Sequence, residues 1–151
     1  MTIFQNMNIT SSALTANRLR MDVVSSNMAN AETTRGTYVN GEWQPYKRKM
    51  VVMQSDRSPS FSSLLHSEIN KSQNQNNGVK VTDIVEDNTP FNLVYNPTHP
   101  DANDQGYVQM PNVDPLKEMT DLISATRSYE ANVTVFNTNK NILTKTLEIG
   151  K

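Results

Sequence analysis

At each end of the chain lies a heptad stripe too thin to keep a helix folded by itself, and that feature sets the terms for any fold. Near the N-terminus Met7, Leu14, Met21 and Met28 recur at every seventh residue, with Ile3, Val24 and Ala31 on the adjoining seam. This is the coiled-coil period, which presents one side of an α-helix continuously to a partner. The adjoining seam also carries Thr10 and Asn17, and Ser25, Ser26, Asn27 and Asn30 crowd its C-terminal end. A helix with so little apolar surface is unstable alone, because nucleation is costly and tertiary burial supplies most helical stability. The pattern predicts one helix over residues 3–33, stopped by Thr33, Thr34 and Gly36.

The C-terminal stretch repeats the arrangement. Asp114 can cap a helix whose first residue is Pro115, where a missing N–H costs nothing. Leu122, Tyr129, Phe136 and Leu143 then recur every seven residues, Met119, Val133 and Leu147 lie on the neighbouring seam, and Gly150 ends the helix. Arg127 and Glu130, three apart on a polar face, read as surface charges or as charges matched to a neighbouring subunit.

Prolines and short β-rich runs concentrate between the two helices. Candidate strands are Tyr46–Met53, Gly78–Asp87, Phe91–Tyr95 and Gly106–Met110, and the polar run Asn70–Gly78 reads as an exposed mobile loop within a stretch at 55–77. The expected class is α+β. Residues 1–36 and 114–151 form a helical assembly domain, its long helices packed as an antiparallel coiled-coil-like pair, and 37–113 form a small β-rich outer domain. An ordinary α+β core, with both helices folded back on the strands, fits the periodicity equally well.

Several function classes lose support on composition and motif. A net charge of -1 gives no reason to expect nucleic acid or an acidic membrane as partner, and the basic run Lys47, Arg48, Lys49 reads as a solvated strand surface. Without cysteine there is neither a disulfide nor a thiolate metal site. No signal peptide and no membrane-length apolar run can be read, so general targeting signals alone point to the cytosol. His66 and His99 lie apart, no Gly-x-Ser-x-Gly elbow exists, and the few glycines form no phosphate loop. Asp101–Asn112 resembles a calcium loop through Asp101, Asn103 and Gly106, but its twelfth residue is Asn112 instead of glutamate, so a turn-rich loop shaped by Pro97, Pro100, Asn103 and Gly106 is preferred. Trp43, Tyr46 and Tyr107 read as filling for a small core. No catalytic, cofactor or metal residues are assigned, and no enzyme activity is expected.

The stretch SALTANRLRMDVVSSNMANAETTRG resembles the N-terminal signature of the bacterial flagellar rod and hook family of axial proteins, whose Ala-Asn-x-x-Thr element falls here on Ala29, Asn30 and Thr33. The C-terminal helix resembles that family's through Arg127, Ser128, Tyr129, Glu130, Ala131 and Asn132, and PYKRKMVV and FNLVYNPTHPDANDQGYVQMPNVDPLKEM resemble its proximal-rod members. The resemblance implies a structural subunit of the basal-body rod, outside the cytoplasmic membrane, exported without a cleaved signal peptide and self-assembling into the torque-transmitting shaft. Implied partners are copies of itself, other rod subunits, the flagellar export apparatus and basal-body adaptor proteins, with no nucleic acid, small-molecule substrate, cofactor or membrane insertion. Subunit contacts are then expected at Met7, Leu14, Met21, Val24, Met28, Asn30, Thr33, Leu122, Tyr129, Val133, Phe136, Leu143 and Leu147. The alternatives are a soluble calcium- or peptide-binding module on the strand-rich middle, and an enzyme remodelling peptidoglycan, for which no acid and base pair is found.

Overall fold

Both heptad ends are helical in the computed structural model, which describes residues 3–39, 41–55 and 78–149. The first helix, α1 (Ile3–Ala29), stops four residues short of the expected end. The reason is local. The Asn30 side-chain amide donates to the Ser26 carbonyl at 2.9 Å, and its N–H is shared between the carbonyls of Ser26 (3.1 Å) and Asn27 (3.2 Å). Bonds from Ala31 N–H to Met28 and from Thr33 N–H to Asn30 then tighten the chain out of the α-helical register. The last helix, α2 (Pro115–Ile149), begins as expected: the Asp114 carboxylate accepts from Leu116 N–H at 2.9 Å and from Lys117 N–H at 3.4 Å. Gly150, the expected stop, lies outside the described residues.

Many hydroxyls of both helices turn back on the helix itself. Thr10, Thr15, Thr120, Thr134, Thr138 and Thr146 each donate to the carbonyl four residues earlier, at 2.8–3.1 Å.

Between the helices come β1 (Thr37–Val39), β2 (Glu42–Gln44), β3 (Lys49–Ser55), β4 (Val79–Glu86), β5 (Asn92–Tyr95) and β6 (Tyr107–Met110), paired as β1–β2, β3–β4 and β5–β6. The four expected strands correspond to β3–β6. β3 starts three residues late, because Tyr46 N–H donates to the Thr33 carbonyl and Arg48 N–H to the Asn112 side chain. The antiparallel β1–β2 hairpin, with Tyr38 opposite Trp43, was not expected; Gly41, at φ 91°, supplies the left-handed backbone at its turn. In β5–β6 the register sets Leu93 opposite Gln109 and Tyr95 opposite Tyr107. The expected mobile loop at 55–77 lies, apart from Ser55 in β3, outside the described residues.

The chain forms two compact units, and both helices contribute to each. In the unit made of Leu19–Val51 and Ile84–Ala125, Val23, Val24, Pro45, Val108, Pro111, Val113 and Ala125 are buried together with Asn27 and Glu118. In the unit made of Met1–Arg18, Val52–Asp83 and Thr126–Lys151, only Thr10 and Ala16 are buried among the described residues. There Gly78 lies against Ser12, whose hydroxyl accepts from Val79 N–H at 3.1 Å.

Candidate functional site

At the centre of the first of these units is a buried polar knot. Asn27 is 1% exposed, and its amide answers a backbone as a strand would. Its Nδ2 donates to the Lys49 carbonyl (2.8 Å) and to Glu118 Oε2 (2.9 Å), and its Oδ1 accepts from Lys49 N–H (2.9 Å) and from the Tyr46 hydroxyl (3.0 Å). Four bonds use the full capacity of the amide, so burial leaves none of its polar atoms unsatisfied.

Arg48 departs from the reading of residues 47–49 as a solvated surface, which holds for the exposed Lys49. Its side chain is 12% exposed and faces three carboxylates: Nε donates to Glu118 Oε1 at 2.6 Å, with Asp87 and Asp121 each at 3.6 Å. Glu118 is fully buried, and Arg20 takes a second oxygen of Asp121 at 3.1 Å. Asn112 closes the knot, accepting from Arg48 N–H and donating to the Asp87 and Thr89 carbonyls. The Thr89 N–H, then its hydroxyl and the Arg48 guanidinium, hold the Asp87 carboxyl below the ordinary aspartate range. A buried arginine survives only with such pairing, since an unpartnered charge would be prohibitively costly.

The Ala29, Asn30, Thr33 element builds the exit from α1. The Thr33 hydroxyl meets Asn30 Oδ1 at 3.3 Å, and the Thr33 carbonyl receives Tyr46 N–H at 3.1 Å. Gly36 follows where a Cβ would lie 2.7 Å from the Tyr46 backbone. Next, Thr34 donates to Asp101 Oδ2 at 2.8 Å while Arg35 Nε donates to Oδ1 at 2.7 Å. The Arg35 bond, followed by that from Thr34, holds Asp101 below the ordinary carboxylate range. Asp101, first residue of the calcium-loop match, is thus engaged as a clasp. The loop is turn-rich as expected: Asn103 Oδ1 accepts from the N–H groups of Gln105 and Tyr107, and Gly106 sits at φ 80°. His99 Nδ1 accepts from Asp101 N–H at 3.1 Å; His66 lies outside the described residues.

Aromatic residues expected in a core are found outside it. Trp43 is 56% and Tyr107 41% exposed, each paired across its hairpin, with Tyr38 and Tyr95 respectively. Two-stranded ladders have a free face, and these rings occupy it. Tyr46 alone points its hydroxyl inward, to Asn27.

Of the residues expected to meet other subunits, Val24 is buried, and Met7, Leu14, Met21, Met28, Asn30, Thr33, Leu122, Tyr129, Val133, Phe136 and Leu143 are half-buried. Leu147 is 73% exposed. Met119, read from the sequence as a seam residue, is 51% exposed, and further uncovered apolar positions were missed: Leu116 and Ile123 at the start of α2, and Val135, Ile142 and Ile149 along its length. The second set is itself a heptad repeat, legible as a second seam beside Leu122, Tyr129, Phe136 and Leu143. Arg127 and Glu130 form an exposed ion pair at 3.0 Å.

Two long helices bearing uncovered apolar rows stand at the two ends of the chain with short strands between them, and comparison with known proteins supplies the class. Residues 7–36 match the family model "Flagella basal body rod protein", and residues 104–149 match "Flagellar basal body rod FlgEFG protein C-terminal". The chain belongs to the flagellar basal-body rod protein family. Within that family it is similar along its whole length to the flagellar basal-body rod protein FlgC: 64% identical to that of Bacillus subtilis over 151 residues, 100% of each chain. It is 41% identical to FlgC of Escherichia coli O6:H1 over 100% of each chain, and 37% to FlgC of Borreliella burgdorferi over 99% of this chain and 98% of the relative. The match at 7–36 covers α1 from Met7 onward with its exit turn, and that at 104–149 covers β6 and α2.

Proposed function

We propose that this chain is a structural subunit of the bacterial flagellar basal-body rod, in its proximal part, and that it assembles there through the faces of α1 and α2. The observation that carries this reading is 64% identity to FlgC of Bacillus subtilis over all 151 residues of both chains. Physical chemistry supports it. The rows at Met7, Leu14, Met21 and Met28 and at Leu122, Tyr129, Phe136 and Leu143 are half-buried, so each keeps apolar area for a neighbour. Met side chains, unbranched and polarisable, adapt to unequal surroundings in a helical assembly. On this reading the contacts also use Val133 and Leu147, α1 and α2 pair as a coiled coil, and residues 1–36 with 114–151 form the assembly domain around which 37–113 faces outward. Val24, Asn30 and Thr33 belong to the same proposed contact set; Asn30 and Thr33 also fix the end of α1.

The rod is a shaft, and its subunits need no catalytic group. Partners are further copies, other rod subunits, the flagellar export apparatus and adaptor proteins of the basal body. Export proceeds with the chain unfolded, which helices too weak to persist alone make easy. No described helix is long and apolar enough to cross a membrane. Basal bodies purified from a strain lacking this chain should have no complete rod, and a complete rod there would refute the assignment. Incubation of the pure protein with cell wall should release no fragments.

A further inference from the structure

The loop that leaves β5 opens on Asn96, Pro97, Thr98 and His99, and Asn96–Pro97 is the one Asn–Pro bond in the chain. An asparagine side chain can cyclise in two directions. Commonly the nitrogen of the next residue attacks the side-chain carbonyl, which deamidates the asparagine and leaves the chain intact. Pro97 has no N–H, so that route is closed at Asn96. What remains is attack by Asn96 Nδ2 on the residue's own main-chain carbonyl carbon, and this route breaks the chain.

The turn is arranged in favour of that attack. The Asn96 carbonyl oxygen accepts from His99 N–H at 3.2 Å, so a donor already points at the oxygen on which negative charge develops when the carbonyl carbon is attacked. The Thr98 hydroxyl donates to Asn96 Oδ1 at 2.8 Å. A side chain bonded two residues ahead curls over the intervening peptide bond, and a donor on Oδ1 favours the amide form that has given up an Nδ2 proton. Nδ2 itself has no acceptor among the described residues. Its reach follows from covalent structure, since ring closure joins atoms of one residue. The turn is held from both sides. Asn96 N–H donates to the Gly106 carbonyl at 2.9 Å, and His99 Nδ1 accepts from the N–H of Asp101, whose carboxylate is engaged by Thr34 and Arg35. Asn96, Pro97 and Thr98 are exposed, so water can take and return protons.

We infer that Asn96–Pro97 is a self-cleavage site. Asn96 Nδ2 loses a proton to water and bonds to the Asn96 carbonyl carbon, the bond from that carbon to the Pro97 nitrogen breaks, and the departing nitrogen takes up a proton. The products are residues 1–96, ending in a cyclic imide, and residues 97–151, beginning with the free secondary amine of Pro97. No oxidant, reductant or second reactant enters. The cut leaves β5 paired with β6 and Asp101 bonded to Thr34, so the two pieces stay together until they are denatured. The inference is independent of the rod assignment and can be tested on the isolated chain.

The intact protein would be kept for several weeks in neutral buffer with protease inhibitors, below its unfolding temperature, and samples denatured and weighed by mass spectrometry. Two new species are expected, residues 97–151 and residues 1–96, the second lighter by one water than a hydrolytic fragment. Asn96→Asp keeps an acceptor for the Thr98 hydroxyl but lacks the amide nitrogen, and should abolish both. Thr98→Val keeps the backbone turn and should slow their appearance about two- to tenfold. The parent chain held in urea, where the turn is lost, should be cut more slowly than the folded chain. Circular dichroism checks that each variant is folded; if Thr98→Val is not, Asn96→Asp and the urea comparison carry the test. The inference fails if no cut appears at Asn96–Pro97, or if the first fragments already end in an ordinary carboxylate. It fails equally if cutting persists in Asn96→Asp, or if folded Thr98→Val or the chain in urea is cut as fast as the folded parent.

Discussion

Asn27 does with one side chain what a neighbouring strand would do, meeting both the N–H and the carbonyl of Lys49. Asn27→Leu would leave those groups and part of Glu118 without partners, and the Tyr46 hydroxyl with only the Ser26 hydroxyl at 3.5 Å. It should lower the free energy of denaturant unfolding by about 3 kcal/mol. Arg48→Met would strand the fully buried Glu118 and should cost about 3–5 kcal/mol. The double variant Arg48→Met with Glu118→Leu removes both charges and should recover a substantial part of that loss. A double variant no more stable than Arg48→Met alone would count against the pairing. Acid acts on the same residues. Asp87 and Asp101 have lowered pKa values in the folded chain, so they bind protons less readily there than when unfolded. Their contribution is complete above the unfolded value and is lost as pH falls through the folded one, below about pH 4. Stability against pH should therefore drop on the acid side, and Asp101→Asn should flatten part of that drop.

Elements differ in how plainly their residues announce them. α2 is legible because Asp114, Pro115 and the heptads from Leu122 to Leu143 all point the same way. Asp114→Ala should cost about 1 kcal/mol of stability through the lost cap, measured by thermal unfolding. β3 to β6 are legible through their β-branched and aromatic runs. The β1–β2 hairpin is not, since three-residue strands show almost no alternation and its dependence on a left-handed Gly41 appears only in the backbone. The end of α1 was misplaced because polar Asn30 can equally sit within a helix or close it; its bond back to Ser26 decides. Arg48 was misread for a different reason. Its partner Glu118 is 70 residues distant, and no local pattern shows that two such charges meet. The candidate site was half visible in the same way: the seam residues follow from spacing, while the clasp on Asp101 and the exposure of Trp43 depend on contacts that spacing does not encode.

At the scale of the molecule, burial among the described residues is concentrated in one unit. Amide hydrogen exchange on the isolated chain should be slow across residues 19–51 and 84–125, and fast in 3–18 and 126–149, where among the described residues only Thr10 and Ala16 are buried. Uniform protection along both helices would mean that they need no neighbours. Ile123→Asp and Leu147→Asp, at positions 57% and 73% exposed, should leave monomer stability within about 0.5 kcal/mol while abolishing motility on soft agar. The threonines of α1 and α2 bear on the same step. With hydroxyls tied to carbonyls one turn back, the exposed threonines among them ask little of water. A surface of that kind can pass from solvent into a crowded interface with few hydrogen bonds to surrender, so a helix that looks polar in composition behaves on contact as a nearly dry one.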